Sequence, residues 1–263
     1  MKKIYLVLAL ALGFCVNANA WNKAADAGVV AFASKHLSSE AAALVKKHIG
    51  ESILDDVQYL TLLETKKKAK HTKEIHYLHL DANLQPMKVE GDDVLKAINN
   101  NLKVIRNYTK HPDGKVKWAL RNLIELMCDL HNFSNVRIEG IAHSQADFKI
   151  NCYGGDVGKR KTTTPVKWSR FWAIYPSWHT GFSADFWAED MEVCLGTKRE
   201  EFSKGTPEEW ATEIGKKAAE FYGYITPDCE MTRRVRNELE DVNFEMMTRA
   251  GFRLAALLNQ AIK

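Results

Sequence analysis

The stretch Leu120–His131, LRNLIELMCDLH, carries two acidic side chains within a run of apolar residues. The apolar residues recur at the spacing of an α-helix, which predicts a helix over residues 115–133. Glu125 and Asp129 lie four residues apart and therefore share one face of that helix. On an exposed face they are ordinary solvated acids, but on a buried face they repel each other unless a cation or basic group neutralises them. The sequence leaves both interpretations open.

Helical patterns continue on both sides of this stretch. Ser38 is a candidate N-cap that divides residues 24–49 into two helices. Further helical patterns cover residues 51–65, 93–108, 184–195, 207–222 and 229–261, and Thr206 is the candidate cap before the fourth of these. In the last pattern, the apolar residues that recur every three or four positions should face the core: Val235, Leu239, Val242, Met246, Ala250, Leu254 and Leu257. The middle differs, because short β-type segments, Phe148–Cys152 and Val166–Trp168, alternate there with glycine and proline. We therefore predict an all-α fold, a single multi-helix domain with a small irregular β excursion around residues 136–180.

The first twenty residues have the pattern of a signal peptide. Two lysines precede Ile4–Val16, an apolar stretch that is too short to span a membrane, and Ala18–Ala20 is a small-x-small cleavage signal. Cleavage between Ala20 and Trp21 leaves residues 21–263 as the mature helical domain. No later run is long and apolar enough to span a bilayer, so we expect a secreted or periplasmic protein without stable membrane insertion. We also expect a monomer.

The charge balance limits the kinds of partner that the chain binds. It has 37 basic and 33 acidic residues, a net charge of +4 that falls to +2 once the two lysines of the leader are removed. Such a small surplus argues against a protein that wraps nucleic acid through bulk charge. A local groove for an anionic ligand remains compatible with it.

Four cysteines remain after the leader: Cys128, Cys152, Cys194 and Cys229. An oxidising compartment permits disulfides, and the three pairings that four cysteines allow stay open. Cys128 lies inside the apolar helical run, which predicts a buried thiol that behaves as a small hydrophobic side chain.

Candidate ligand residues and flanking motifs follow one another in a distinctive order. They are Trp21 at the cleavage site, Asp26, Glu64, Ile75-His76-Tyr77, Glu125 through Asp129 to His131, Asn135, Val166-Lys167-Trp168, Trp178–Ser183 and Arg249–Ala255. This order resembles that of the zinc-dependent single-strand-specific nucleases of the fungal S-one/P-one type, which share a fold with bacterial phospholipase C. The resemblance covers essentially the whole mature chain and implies that multi-helix fold.

The resemblance also implies three metal positions in a cleft. The first would be held by Glu64, His76, Glu125 and Asp129. The second would be held by the amine and carbonyl of Trp21, by Asp26 and by a bridging Asp129. The third would be held by Asn135, His179 and Ser183.

This chain departs from the family pattern mainly towards oxygen ligands. Asp26 and Glu125 stand where the family has histidine, and Glu64 stands where it has aspartate. In the third position Asn135 replaces a histidine and Ser183 an aspartate, so only His179 remains as a strong ligand and we expect that position to be empty. The resemblance implies zinc, whereas the carboxylate-rich first two positions also suit manganese, magnesium or calcium.

The activity that the resemblance implies is in-line attack on a phosphodiester by metal-activated water. Asp129 would be the central catalytic ligand, Lys67 would help to hold the phosphate, and Tyr77 would stack on a base of the substrate. Ordinary packing for Tyr77 and a solvated lysine at position 67 remain the alternatives. We expect a secreted metal-dependent phosphodiesterase, an endonuclease or nucleotidase acting on single-stranded nucleic acid or nucleotides. The alternative is a catalytically impaired relative that binds metal or a phosphate ligand without hydrolysis.

Expression of the full chain with its leader in an exporting host is expected to yield a mature protein that begins at Trp21, because the small-x-small signal ends at Ala20. N-terminal sequencing and intact-mass measurement of the exported protein check this start. A lipid-modified start at Cys15 is the alternative, although Phe14 before it is large for a lipid-attachment site. An uncleaved leader would contradict the prediction.

Overall fold

Helices make up most of this computed structural model, which describes residues 21, 23–50, 73–157, 160–174 and 183–262. The leader, the helix predicted over 51–65 and three predicted site residues lie outside the described residues; those three are Glu64, Lys67 and His179. The mainly helical character predicted from the sequence is confirmed. In the described ranges, no helix combines the length and the apolar character that a membrane crossing needs.

The α-helices are numbered here in chain order, with bounds α1 Lys23–Lys35, α2 Ser39–Ile49, α3 Val94–Arg106, α4 Asp113–Leu130, α5 Trp168–Ile174, α6 Ala184–Leu195, α7 Arg199–Ser203, α8 Pro207–Tyr222 and α9 Arg233–Ala261. The strands are β1 Leu78–Leu80, β2 Val136–Ile138, β3 Lys149–Val157, β4 Arg160–Lys167 and β5 Glu230–Met231. A short 3-10 helix, Lys73–His76, precedes β1.

Side-chain caps set several helix starts, as the sequence predicts. The hydroxyl of Ser38 accepts the backbone N–H of Ala41, so α1 and α2 are separate helices. Thr206 begins α8 with a reciprocal capping box to Glu209. The last helix begins four residues later than predicted, at Arg233, because β5 and the cap Thr232 take up the preceding residues.

The β excursion is confirmed as a hairpin of β3 and β4, with β5 added in parallel beside β3. Two details of the prediction were wrong. Trp168 is the first residue of α5 rather than the end of a strand. In addition, β2 belongs to a separate parallel pair with β1, a strand that the sequence reading had missed because three residues carry too little pattern.

The core lies between the long helices, where α1 packs against α6 and α9 and α3 packs against α4. Seven positions of α9 were predicted to face this core. Five of them are buried, Leu239, Met246, Ala250, Leu254 and Leu257. Val235 and Val242, nearer the start of α9, are half-buried and pack on the edge of the core.

The four cysteines are free thiols in this structure. Cys128 is buried inside α4, as predicted. Cys152 lies on β3, and Cys229 directly precedes β5. Burial, with a smaller contribution from Cys229, raises the pKa of Cys152 to about 11. The pairing in an oxidising compartment stays open.

Close packing of α1 on α6 predicts that Gly28→Ala destabilises the fold. A Cβ at position 28 would come 2.5 Å from Cβ of Trp187, a contact that only a shift of the two helices relieves. We expect a loss of about 1–3 kcal/mol in the free energy of unfolding, measured by chemical denaturation. The control is Gly114→Ala in the first turn of α4, where a Cβ meets nothing within 4 Å. Equal losses in both variants would contradict the packing argument.

Candidate functional site

Four buried side chains from three segments make up the candidate site, which we call the acidic cluster: Asp26, His76, Glu125 and Asp129. Asp26 lies in the first turn of α1, and the two other acids lie four residues apart on α4. His76 ends the 3-10 helix before β1. The buried interpretation of Glu125 and Asp129, left open by the sequence, is therefore the correct one.

Asp129 is the most enclosed member of the acidic cluster, with an exposed fraction of 0%. Its Oδ2 lies 2.6 Å from Nδ1 of His76, and its Oδ1 accepts a hydrogen bond of 2.9 Å from Nδ2 of Asn135. An ionised carboxylate only accepts hydrogen bonds, so Nδ1 of His76 is the donor when Asp129 is charged. These two bonds hold both carboxylate oxygens in fixed directions.

Asp26 is the member of the acidic cluster with the least stable ionised form. Burial, with a smaller contribution from the charge of Asp129, raises the pKa of its carboxyl to about 8, and a backbone hydrogen bond from Trp21 partly opposes this rise. Its Oδ1 is buried without a hydrogen-bond partner in the described part of the chain. An unpartnered buried carboxylate oxygen is costly, because it loses its hydration and gains nothing in exchange.

Glu125 and Asp129 lie close enough to Cys128 and Asp26 to act as one electrostatic group. Burial raises the pKa of the Cys128 thiol well above its usual value, and the charges of Asp26, Glu125 and Asp129 raise it further. This thiol is therefore protonated and unreactive as a nucleophile. Its role in the cluster is to fill space beside the carboxylates.

Trp21 is anchored next to Asp26 by its side chain. The indole is fully buried, and its N–H donates to Oδ1 of Asn243 on α9. The backbone of Trp21 then reaches the carboxyl of Asp26, as the hydrogen bond between them requires. A chain cleaved after Ala20 would have its α-amine at this place.

Other predicted site residues have different surroundings. Asn135 joins the cluster through Asp129. Ser183 is exposed and caps α6, where its hydroxyl accepts the backbone N–H of Phe186. Tyr77 is half-buried, and the guanidinium of Arg137 covers its ring at 4.1 Å from the centroid. A base could therefore stack only on the opposite face of Tyr77.

The sequence reading missed a buried polar group that supports α4. His131 Nδ1 lies 2.8 Å from the carbonyl oxygen of Met127, and its Nε2 lies 3.0 Å from Nη1 of Arg253. Burial and the charge of Arg253 lower the pKa of His131 well below its ordinary value, so the imidazole is neutral and accepts from the arginine. Arg253 also pairs with Glu213. The sequence signal for this buried polar group is Arg253, a charged residue within the apolar stretch Gly251–Leu258.

The donor chemistry of the acidic cluster suits a divalent cation. Carboxylate oxygens are preferred ligands of magnesium, calcium and manganese, and Asp26 offers an oxygen without another partner. In the ranges that the structure describes, however, no three His, Cys, Asp or Glu side chains converge in the arrangement of metal ligands. The chemical types of these residues therefore suit such an ion. Glu64, the remaining predicted ligand, lies outside the described residues.

No family model matches this chain, and no curated protein is detectably similar to it. The resemblance to the single-strand-specific nucleases therefore depends on the residues quoted in the sequence analysis.

Asp26 is expected to make the metal-free protein less stable as the pH rises. Its folded pKa of about 8 exceeds the ordinary value of 3.8, so its stabilising contribution is complete below pH 3.8 and is lost as the pH rises through 8. We compare the free energy of unfolding of Asp26→Asn with that of the wild type at each pH. This difference should favour the variant more at pH 8 than at pH 4, by on the order of a few kcal/mol.

Urea denaturation with a chelator at both pH values measures this difference. The control is Asp92→Asn, which removes an exposed carboxylate that pairs with Lys96. A stability difference between Asp26→Asn and the wild type that does not change with pH would contradict the assignment of Asp26 as a buried, destabilised acid.

Proposed function

We propose that this protein is an exported, divalent-cation-dependent phosphodiesterase of the single-strand nuclease type, acting on single-stranded nucleic acid or nucleotides. One observation supports the proposal above all others. The buried carboxyls of Asp26 and Asp129 interact between two helices beside the backbone of Trp21, and the buried Glu125 lies one helical turn before Asp129. The nuclease resemblance assigns Glu125 to a first metal position, Asp26 and Trp21 to a second, and Asp129 to both.

The physical argument concerns the cost of buried negative charge. Two carboxylates in mutual repulsion away from water are unfavourable unless a proton or a cation offsets them. Asp26 forms no ion pair within the described ranges and has an oxygen without a hydrogen-bond partner. A divalent cation would remove both penalties, and the chain would then gain stability from binding it.

Asp26, Asp129 and the freed amine of Trp21 would hold one ion. His76, Glu125 and Glu64 would hold another, with Asp129 as a ligand that both ions share. Such an ion supplies an activated water and offsets charge on the phosphate. The protein side chains orient this centre. His76 and Asn135 fix the two oxygens of Asp129, and the indole of Trp21 holds the start of the chain in place.

Substrate contacts in the proposal come from two further residues. Tyr77 follows His76 directly and has one ring face that Arg137 does not cover, so an unstacked base could pack there. Lys67 would neutralise part of the phosphate charge, by resemblance alone.

A second candidate function is binding of a metal or phosphate ligand without hydrolysis. Both oxygens of Asp129 already accept hydrogen bonds from His76 and Asn135, which lowers their capacity as ligands. Four carboxylates, including Glu64, would also offset the full charge of two divalent ions. The water would then be less acidified and the phosphate less attracted.

Turnover by the mature protein tests the two candidates. After treatment with a chelator, the protein is expected to cleave a single-stranded oligonucleotide or bis(p-nitrophenyl) phosphate when Mn²⁺ or Zn²⁺ is restored. Asp129→Asn should lower the rate by roughly 100-fold or more, because it removes the shared ligand. The exposed Asp92→Asn should leave the rate unchanged.

Thermal unfolding with each ion distinguishes the outcomes. Metal-induced stabilisation that Asp129→Asn abolishes, together with no turnover on any substrate, would favour the second candidate. Neither stabilisation nor turnover with any divalent ion would show that both candidates are wrong.

A further inference from the structure

A cavity lies beside the β1–β2 pair and is lined by residues of both strands. Its volume is about 410 Å³, and its walls include His79, Met87, Arg137, Glu139 and Ile141. Successive residues of a strand point to opposite faces. The apolar neighbours of His79 and Arg137 in the two strands are buried in the core: Leu78, Leu80, Val136 and Ile138. His79 and Arg137 therefore point to the opposite face of the strand pair, and both line the cavity.

Arg137 is held rigidly in that wall. The parallel register sets it directly beside His79, and its guanidinium lies over the ring of Tyr77 at 4.1 Å. Nη1 donates to the carbonyl oxygens of Ser134 and Val136, at 2.8 Å and 3.4 Å. A preorganised guanidinium binds an oxyanion with little loss of conformational entropy.

Among the described residues, Arg137 and Arg253 are both buried, but only Arg253 has a carboxylate partner there. Arg253 pairs with Glu213, whereas Arg137, with an exposed fraction of only 8%, forms no ion pair with a carboxylate in the described part of the chain. Its Nε and Nη2 have no hydrogen-bond partner in the same ranges. A fixed guanidinium whose charge no carboxylate in the described ranges neutralises attracts an anion from solution, and its two unpartnered nitrogens are available to bind it.

We propose that this cavity binds a small organic molecule through its oxyanion, a phosphate or carboxylate group held by the free N–H groups of Arg137. The planar fork of an arginine matches both kinds of oxyanion in a two-point hydrogen bond. The half-buried side chains of Met87 and Ile141 provide an apolar wall for the rest of the ligand. His79 forms part of the wall rather than a donor, because its Nε2 is buried and faces Glu74 at 3.3 Å.

Glu139 provides a second test, in which the expected change in affinity is opposite to that of the Arg137 variants. It lies two residues after Arg137, lines the same cavity and is exposed, and it forms no ion pair with that arginine in the described chain. Its negative charge repels an oxyanion, so removing the charge should tighten binding. A merely structural role for Arg137 would not produce this effect.

The inference does not depend on the proposed phosphodiesterase activity. Arg137 belongs to β2 and is not a member of the acidic cluster. Binding is therefore measured on the metal-free mature protein, with a chelator present, in a low-salt buffer that contains no phosphate.

Calorimetric titration with inorganic phosphate, adenosine 5′-monophosphate and benzoate tests the proposal. We expect saturable binding that Arg137→Gln weakens at least about tenfold in Kd and Arg137→Lys weakens less. Glu139→Gln should tighten binding by roughly two- to fivefold. The exposed Arg106→Gln at the end of α3 is the matched control and should bind as the wild type does.

Circular dichroism checks that each variant is folded, and Arg137→Lys with Glu139→Gln decide the matter if Arg137→Gln does not fold. Binding of the two phosphates alone assigns a phosphate ligand, and binding of benzoate alone assigns a carboxylate. Absence of binding by all three probes would overturn the proposal. So would affinities that neither the Arg137 variants nor Glu139→Gln change.

Discussion

Repulsion among buried carboxylates beside Asp129 is the constraint on which the candidate site depends. Asp129 has no exposed surface, and hydrogen bonds from His76 and Asn135 tie α4 to the segment before β1 and to the turn after the helix. Asp26 approaches from α1, and its Oδ1 has no hydrogen-bond partner within the described ranges.

Arg253 and Arg137, the buried arginines among the described residues, differ in whether a carboxylate of the protein neutralises them. Arg253 is enclosed by Glu213, His131 and the carbonyl oxygen of Phe202, and its charge is fully used within the protein. Arg137 is fixed by carbonyl oxygens and an aromatic ring that leave its net charge uncompensated. Of these two arginines, Arg137 is therefore the one with a charge that remains available to an external anion, as proposed above.

Much of the helical organisation could be predicted because its signals are local. Ser38 and Thr206 cap their helices as expected, and the apolar period of α9 selects core positions such as Leu239 and Met246. The start of that helix was predicted too early, because residues 230–231 pair with a strand about eighty residues earlier in the chain. A strand of two residues is too short to show the alternation of apolar and polar residues from which strands are predicted.

The sequence by itself determined the helix boundaries set by caps, the position of the β excursion and the candidate acids at helical spacing. Only the tertiary structure decided that Glu125 and Asp129 are buried and that Trp21 reaches Asp26. It also decided that Arg253 pairs with Glu213, whereas Arg137 has no carboxylate partner among the described residues. The reason is physical: hydrogen-bonded caps and apolar periods act between near neighbours in the chain. The energy of a charge depends instead on everything packed around it, including partners as distant in sequence as His131 and Arg253, 122 residues apart.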